Sequence, residues 1–264
     1  MKSKLLDAAL AAICLPVTMK NARRAFLVVA FLSSFIGQGV GPLGRANAAS
    51  PAVVQNEAFG NSYGDWSVRW WQWLLSIPAA TNPNLGGDCT QGQSGNVWFL
   101  AGSFSSTPAI RTCVIPTPPQ GSTKKPVRTV FFPLINTIGF KAFGYETLND
   151  LRLQAANQIG DNVTKLVCTI DGTDCGTLCK TDDGNGCPTD LFAFRATSPS
   201  FSLLAVPQGV LPPGKLSVPG NADPIVSDGY WMLVTLPSGQ HTIHFGGTTG
   251  DNFSVDVTYT LTVP

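Results

Sequence analysis

His241 and His244 are the two histidines of this 264-residue chain, and imidazoles three residues apart invite a shared metal ion. The local pattern argues against one. "GQHTIHFGG" reads as a strand, where residues i and i+3 point to opposite faces, so His241 sides with Ile243 and Phe245 while His244 sides with Thr242. His241 is kept as a candidate ligand-binding residue on its own face. Oxygen chemistry is better served by "TDDGNGCPTD", Thr181 to Asp190. Calcium loops set oxygens at alternate positions around a glycine turn, and Asp182, Asp183, Asn185 and Asp190 approximate that layout. Thr181 stands where the first Asp belongs and no glutamate closes the loop, so a disulfide-clamped polar turn accounts for the same residues.

Hydrolytic signatures are sparse. There is no G-x-S-x-G elbow for a serine nucleophile. Paired-carboxylate glycosidase chemistry needs an acid and a base held together, yet beyond residue 48 the glutamates are Glu57 and Glu146, and most aspartates sit in Asp-Gly, Asn-Asp or Gly-Asp turn contexts. No glycine-rich phosphate cradle is present. A triad scattered through the sequence leaves no local mark, so a secreted hydrolase stays as the alternative to a binding protein.

Arg23 and Arg24, the apolar run "AFLVVAFLSSFI" and the small-residue site Ala46-Asn47-Ala48 follow one another in the order of a signal peptide. The run of about a dozen apolar residues is short of the roughly 20 that span a bilayer, so residues 1–48 read as a cleaved leader rather than an anchor. "MKNARRAFLVV" would serve as an ordinary signal from Met19 onward, and Arg23-Arg24 also suits a twin-arginine route. Secretion or a periplasmic location is the expectation. Of 17 basic and 16 acidic residues the leader holds six and one, which leaves residues 49–264 with eleven against fifteen and a net charge near −4. That balance, with the basic residues scattered, argues against nucleic acid as a partner.

Of seven cysteines, Cys14 falls in the leader. Cys89, Cys113, Cys168, Cys175, Cys179 and Cys187 remain, and an even number in an exported chain reads as disulfides. Cys89 with Cys113 is the favoured pair, since the last four crowd into a Cys-rich insert within residues 168–190 and would pair among themselves. A four-thiolate zinc site is disfavoured because C-x6-C-x3-C-x7-C lacks the usual C-x2-C knuckle.

The elements that must carry these groups are mostly strands. "WSVRWWQWLLSIP", Trp66 to Pro78, is the main exception and holds four of the six tryptophans. At 100° per residue Trp66, Trp70, Trp73, Leu74 and Ile77 form one stripe, and Val68, Trp71 and Leu75 form another opposite it. Asp65 suits the N-cap and Pro78 the stop. Such a helix belongs in a core, with Trp71, off the main stripe, as the ring most available to a ligand. A second helix is predicted at "TLNDLRLQAANQI", with Thr147 capping and Asp150 as its partner. "NVWFLAGSF", "RTCVIP", "VRTVFFPLIN", "KLVCTI" with the Asp171-Gly172 turn, "LFAFRATSPSFSLLAV", "DGYWMLVTL", "GQHTIHFGG" and "NFSVDVTYTLTV" read as strands, and Pro207 to Pro224 as a surface loop. In the last strand Phe253, Val255, Val257, Tyr259, Leu261 and Val263 face a core, and the residues between them face water.

The series W-x3-W-W-x-W, "VWFLAG", "RTCVIP", "FFPLIN", Asp171-Gly172, "SDGYW" and "GQHTIHFGG" resembles a group of uncharacterised exported bacterial proteins sharing these blocks in this order. The resemblance spans nearly all of residues 49–264 and implies export and shared architecture, without an activity to carry over. "LPSGQHTIHFGG" followed by "FSVDVTYTLTV" is similar to the closing hairpin of bacterial immunoglobulin-like and PKD-type modules, which are adhesive or spacing units. The expectation is therefore a mainly β, antiparallel immunoglobulin-like β-sandwich over residues 49–264, with one buried Trp-rich helix and a second short one. Its expected work is non-catalytic binding in the cell envelope, with carbohydrate or another surface partner as ligand and Trp71, Trp231 and His241 as candidate contacts. No cofactor is expected beyond calcium at the insert.

Overall fold

The computed structural model describes residues 49–55, 57–141, 147–178, 188–203, 206–211 and 222–264. In chain order the strands are β1 (Ala52–Val53), β2 (Glu57–Ala58), β3 (Asn61–Ser62), β4 (Val97–Phe99), β5 (Ala109–Val114), β6 (Thr129–Phe140), β7 (Val163–Ile170), β8 (Thr173–Asp174), β9 (Arg195–Thr197), β10 (Phe201–Leu203), β11 (Ala222–Thr235), β12 (Gly239–Thr249) and β13 (Ser254–Val263). The two α-helices are α1 (Tyr63–Ser76) and α2 (Leu148–Ala155). The chain is mainly β. A first sheet runs β1-β11-β6-β4, with β9 and β10 also on β11, and a second runs β5-β13-β12-β7-β8.

The expectation of purely antiparallel sheets is corrected: β4 pairs parallel with β6, and β5 parallel with β13. Both parallel partners lie far apart in sequence, so crossover connections rather than hairpins bring them together.

The first sheet is covered on both faces, which explains why β6 reads "TVFFPLI" without alternation. Phe131 stacks on Trp231 at 5.1 Å, and Trp231 meets Trp70 of α1 at 5.5 Å. The adjacent Phe132 points the other way, to Phe245 of the second sheet at 4.6 Å. The second sheet covers its inner face only. Accordingly β13 alternates strictly, with Val255, Val257, Tyr259, Leu261 and Val263 buried and the residues between them part-exposed.

Helix α1 begins one turn earlier than expected. Ser62 is the N-cap, and Asp65 is the third helical residue, which closes a capping box by bonding back to Ser62. All four indoles are buried and each N–H is used: Trp66 donates to Ala58 O, Trp70 to Leu100 O, Trp71 to Ser227 Oγ and Trp73 to Gln91 O, at 2.8 to 3.1 Å. The ring cluster is thus both apolar filling and a set of four directional pins. At α2 the predicted Thr147–Asp150 capping box is present. The helix then widens into a single π-turn, Ala156–Gly160.

Other boundaries differ. "NVWFLAGSF" is strand only over Val97–Phe99. "LFAFRATSPSFSLLAV" breaks into a 3-10 turn capped by Asp190 and two short strands, where Pro199 interrupts pairing. The expected loop up to Pro224 ends sooner, since β11 starts at Ala222. Asp171-Gly172 is the turn joining β7 to β8, both residues with positive φ (53° and 79°).

Cys89 and Cys113 form a disulfide, as do Cys168 and Cys175; Cys179 and Cys187 lie outside the described residues. Among the described residues no helix is long and apolar enough to cross a membrane.

Candidate functional site

Strand β6 is paired with β11 along nearly its whole length, but among the described residues its other edge is paired only with β4, from Thr129 to Phe131. Beyond that point a cleft of about 510 Å³ opens, within the usual range for ligand sites. Its floor is β6 itself, through Asn136, Thr137, Ile138 and Phe140. Trp71 of α1 forms one wall. The opposite wall comes from α2 and its π-turn, through Gln154, Asn157, Gln158 and Ile159. The second sheet supplies Thr249, Asp251 and Phe253 at the mouth.

The register of the first sheet sets which side chains face which wall. A Cβ on Gly229 would stand 2.6 Å from the Asn136 Cβ, so the two share a face, and the absent side chain makes room for the carboxamide. That is the face of α1, because Ser227, two residues before Gly229, accepts from Trp71. On the other face Thr137 Oγ1 donates to Gln158 Oε1 at 2.9 Å. Gly139 lies beneath α2, and a Cβ there would collide with the Leu151 carbonyl oxygen. A bulge at Leu134, where the register slips between Tyr230 and Trp231, separates this arrangement from the regular ladder before it.

Among the described residues, two groups in the cleft walls have no partner. Asn136 Nδ2 and Gln154 Oε1 are buried and make no hydrogen bond, and Gln154 as a whole is 6% exposed. Buried amide atoms are nearly always satisfied in folded proteins, so both are groups a ligand can satisfy. Asp251 is the one acidic side chain among the described lining residues. The Thr249 hydroxyl, first among its neighbours, holds its carboxyl below the usual carboxylate range, and Asn162 Nδ2 donates to the same oxygen at 3.4 Å. The described lining therefore mixes carboxamides and threonine hydroxyls with aromatic and aliphatic side chains and carries a single negative charge.

The residues singled out from the sequence are placed as follows. Trp71 lines the cleft but is 3% exposed. Trp231 is fully buried and stacked on Phe131, so it offers no face to a ligand. His241 is buried with both ring nitrogens engaged, Nδ1 to Asp171 Oδ2 at 2.7 Å and Nε2 to the Pro237 carbonyl at 3.0 Å. It ties the start of β12 to the β7–β8 turn and is not in the cleft. As the period-2 pattern required, His244 lies on the opposite face, half-exposed beside Asp256 at 3.0 Å. Of the proposed calcium ligands, Asp182, Asp183 and Asn185 lie outside the described residues. Asp190 accepts from Phe192 N and caps a short turn. No group of three or more potential metal ligands occurs among the described residues.

A second cavity, of about 320 Å³, opens beside Tyr63, Gly64 and Arg195. Arg195 is committed elsewhere: it binds the buried Asp228 through Nε and Nη2 at 3.0 and 2.7 Å and Asp161 through Nη1 at 2.6 Å. The Asp228 bonds raise its pKa above the ordinary arginine value. This is a closed charge cluster that fixes β9 to β11.

Asn136, Gln154, Gln158 and Asp251 are not among the residues that the sequence pattern marks. Their one local signal was Asn136-Thr137, a polar pair inside the otherwise apolar "FFPLINTIGF". No protein-family model, curated protein or solved structure matches the chain.

Proposed function

We propose that this is an exported, non-catalytic binding protein that takes its ligand in the cleft along β6. The observation that carries this reading is the pair of unpartnered buried amide atoms, Asn136 Nδ2 and Gln154 Oε1, in walls that mix carboxamides and hydroxyls with aromatic and aliphatic side chains. Such a lining suits an uncharged polar ligand with its own donors and acceptors, the chemistry of sugar hydroxyls and of peptide groups alike. Two disulfides accord with an oxidising compartment outside the cytoplasm. The β12–β13 hairpin supports assignment of the paired sheets to the immunoglobulin-like sandwiches used in adhesion. A triad built on His241 would need one ring nitrogen free for a nucleophile, and His241 spends both on Asp171 and Pro237.

The test is retention of arrayed neutral oligosaccharides and arrayed nonapeptides by the protein, compared with its Gln154→Leu variant, with the eluted ligands weighed by mass spectrometry. Expected is retention of intact ligand by the native chain and at least tenfold weaker retention by the variant. Equal retention by both, or cleavage of the retained ligand, would sink the proposal.

A further inference from the structure

The second sheet ends on one side in β5, which pairs with β13 alone among the described residues. Along such an edge strand the main-chain groups of alternate residues face the partner strand and those between face away. The Ile115 N–H donates to the Thr262 carbonyl at 2.9 Å, so the odd-numbered residues bond to β13 while Ile110, Thr112 and Val114 turn their N–H and C=O groups outward. These three are also the exposed residues of the strand, Ile110 at 85% and Val114 at 56%. Edge strands are commonly guarded by brevity, an outward lysine or a bulge. The opposite edge, β8, is two residues long and ends in Asp174. No such guard stands on β5. Its one charged side chain, Arg111, is drawn inward over the Tyr259 ring and bonds the Ala101 and Asn84 carbonyls at 2.7 and 3.2 Å, so no like charges meet when the edge faces a copy of itself.

The outward-turned series is Pro108, Ile110, Thr112, Val114, Pro116, all exposed, and its chemistry reads the same in both directions. We infer that two copies of this chain join edge to edge through β5, antiparallel about a twofold axis at Thr112, into one continuous sheet. In that register Thr112 opposes its own copy and Ile110 opposes Val114, each pair exchanging both main-chain hydrogen bonds. Ile110 and Val114 meet as an apolar cross-strand pair on the exposed face. Pro108 opposes Pro116, and because neither has an N–H the ladder stops at both ends. A slip of two residues either way sets a proline against Ile110 or Val114 and forfeits bonds, which fixes the register. From Ile110 to Val114 the paired stretch is about 13 Å long, short of a standard interface, so the dimer is weak and reversible. It does not depend on what the cleft along β6 binds.

Sedimentation velocity of the full chain from micromolar to millimolar concentration tests this, with hydrogen exchange read at both ends of the range. Expected is a monomer–dimer equilibrium in which the Thr112 amide gains protection as concentration rises, while the Cys113 amide, turned toward β13, is protected throughout. Thr112→Pro deletes an N–H that the monomer does not use and should weaken association at least tenfold, whereas Thr112→Val, which keeps that N–H, should stay within threefold. Ile110→Lys, at a side chain the monomer leaves exposed, should also weaken it at least tenfold and decides the matter if the proline variant does not fold. A chain that stays monomeric at millimolar concentration, a dimer that survives Ile110→Lys, or Thr112 exchange that is independent of concentration overturns the inference.

Discussion

From Thr129 to Phe131, β6 is bonded on both edges, to β11 and to β4, and covered on both faces by α1 and the second sheet. From Leu134 to Gly139 the same strand keeps β11 and has no strand partner on the other edge among the described residues, and its apolar run is broken by Asn136 and Thr137. The residues before the Leu134 bulge serve packing among rings, and the buried atoms left without a partner there are the indole N–H groups of Trp98 and Trp231 rather than carboxamides. Those after it stand beside a cleft whose walls contain amide atoms without counterparts. A site here needs no new element: a neighbouring strand stops early, a bulge exchanges the faces, and two carboxamides remain unsatisfied.

This comparison is broken most severely in the paired half. Phe131→Ala removes a fully buried ring that touches Tyr63, Trp66, Phe99 and Trp231, and the expected cost is about 3–5 kcal/mol, read as a fall in the urea midpoint at unchanged m-value. Next comes Gly139→Ala in the free half. The added Cβ meets the Leu151 carbonyl oxygen, which is backbone and cannot swing aside. We expect α2 to be displaced at a cost of about 1–3 kcal/mol. Because α2 carries Gln154, ligand retention should fall together with stability, whereas Phe131→Ala at a temperature where it remains folded should keep its affinity. If Gly139→Ala kept full affinity, the α2 wall would not belong to the site.

Ser62→Ala tests the frame that supports both halves. Ser62 caps α1 and bonds Asp65, and its loss should cost about 1 kcal/mol. Those bonds from Ser62 hold the Asp65 carboxyl below the usual range. A group depressed in the folded state stabilises above its unfolded pKa, near 4, and ceases to do so as pH falls through the folded value. The difference in melting temperature between native and variant proteins should therefore be constant from pH 5 to 7 and shrink below about pH 4. Asp65 is part-exposed, so solvent screening keeps this effect small. A difference that grew on acidification would contradict the capping-box account.

Much of this frame was legible because its causes are local. Thr147 with Asp150, Asp171 with Gly172, and the strict alternation of β13 each need only their own neighbours. Ser62 was missed because Asp65 is itself a good cap residue, and sequence alone does not separate the cap from its reciprocal partner three positions on. Pairing by β4 and β5 in parallel was illegible for a different reason: those partners lie tens of residues away, and no short-range pattern encodes them. The cleft belongs to this second kind. Asn136, Gln154, Asn162 and Asp251 come from β6, α2, the turn before β7 and the turn before β13, and in each segment the residue reads as an ordinary exposed polar group. Trp231 misled in the opposite sense, since an aromatic ring in a strand looks the same whether it faces a ligand or, as here, Phe131.

The sharpest form of the comparison is the substitution with the smallest effect on stability. Gln154→Leu deletes a buried acceptor that bonds to nothing and replaces it with an apolar group of similar size. Removing an unsatisfied group recovers its desolvation cost without sacrificing a hydrogen bond, so the variant should melt at the same temperature or slightly above it, within about 1 kcal/mol. Ligand retention should nevertheless fall at least tenfold. A residue kept for packing would behave in reverse, with its loss lowering stability and leaving affinity intact. Opposite signs of the two changes at one position would identify Gln154 as a group held for a ligand, and a clear destabilisation would place it instead with the filled half of the strand.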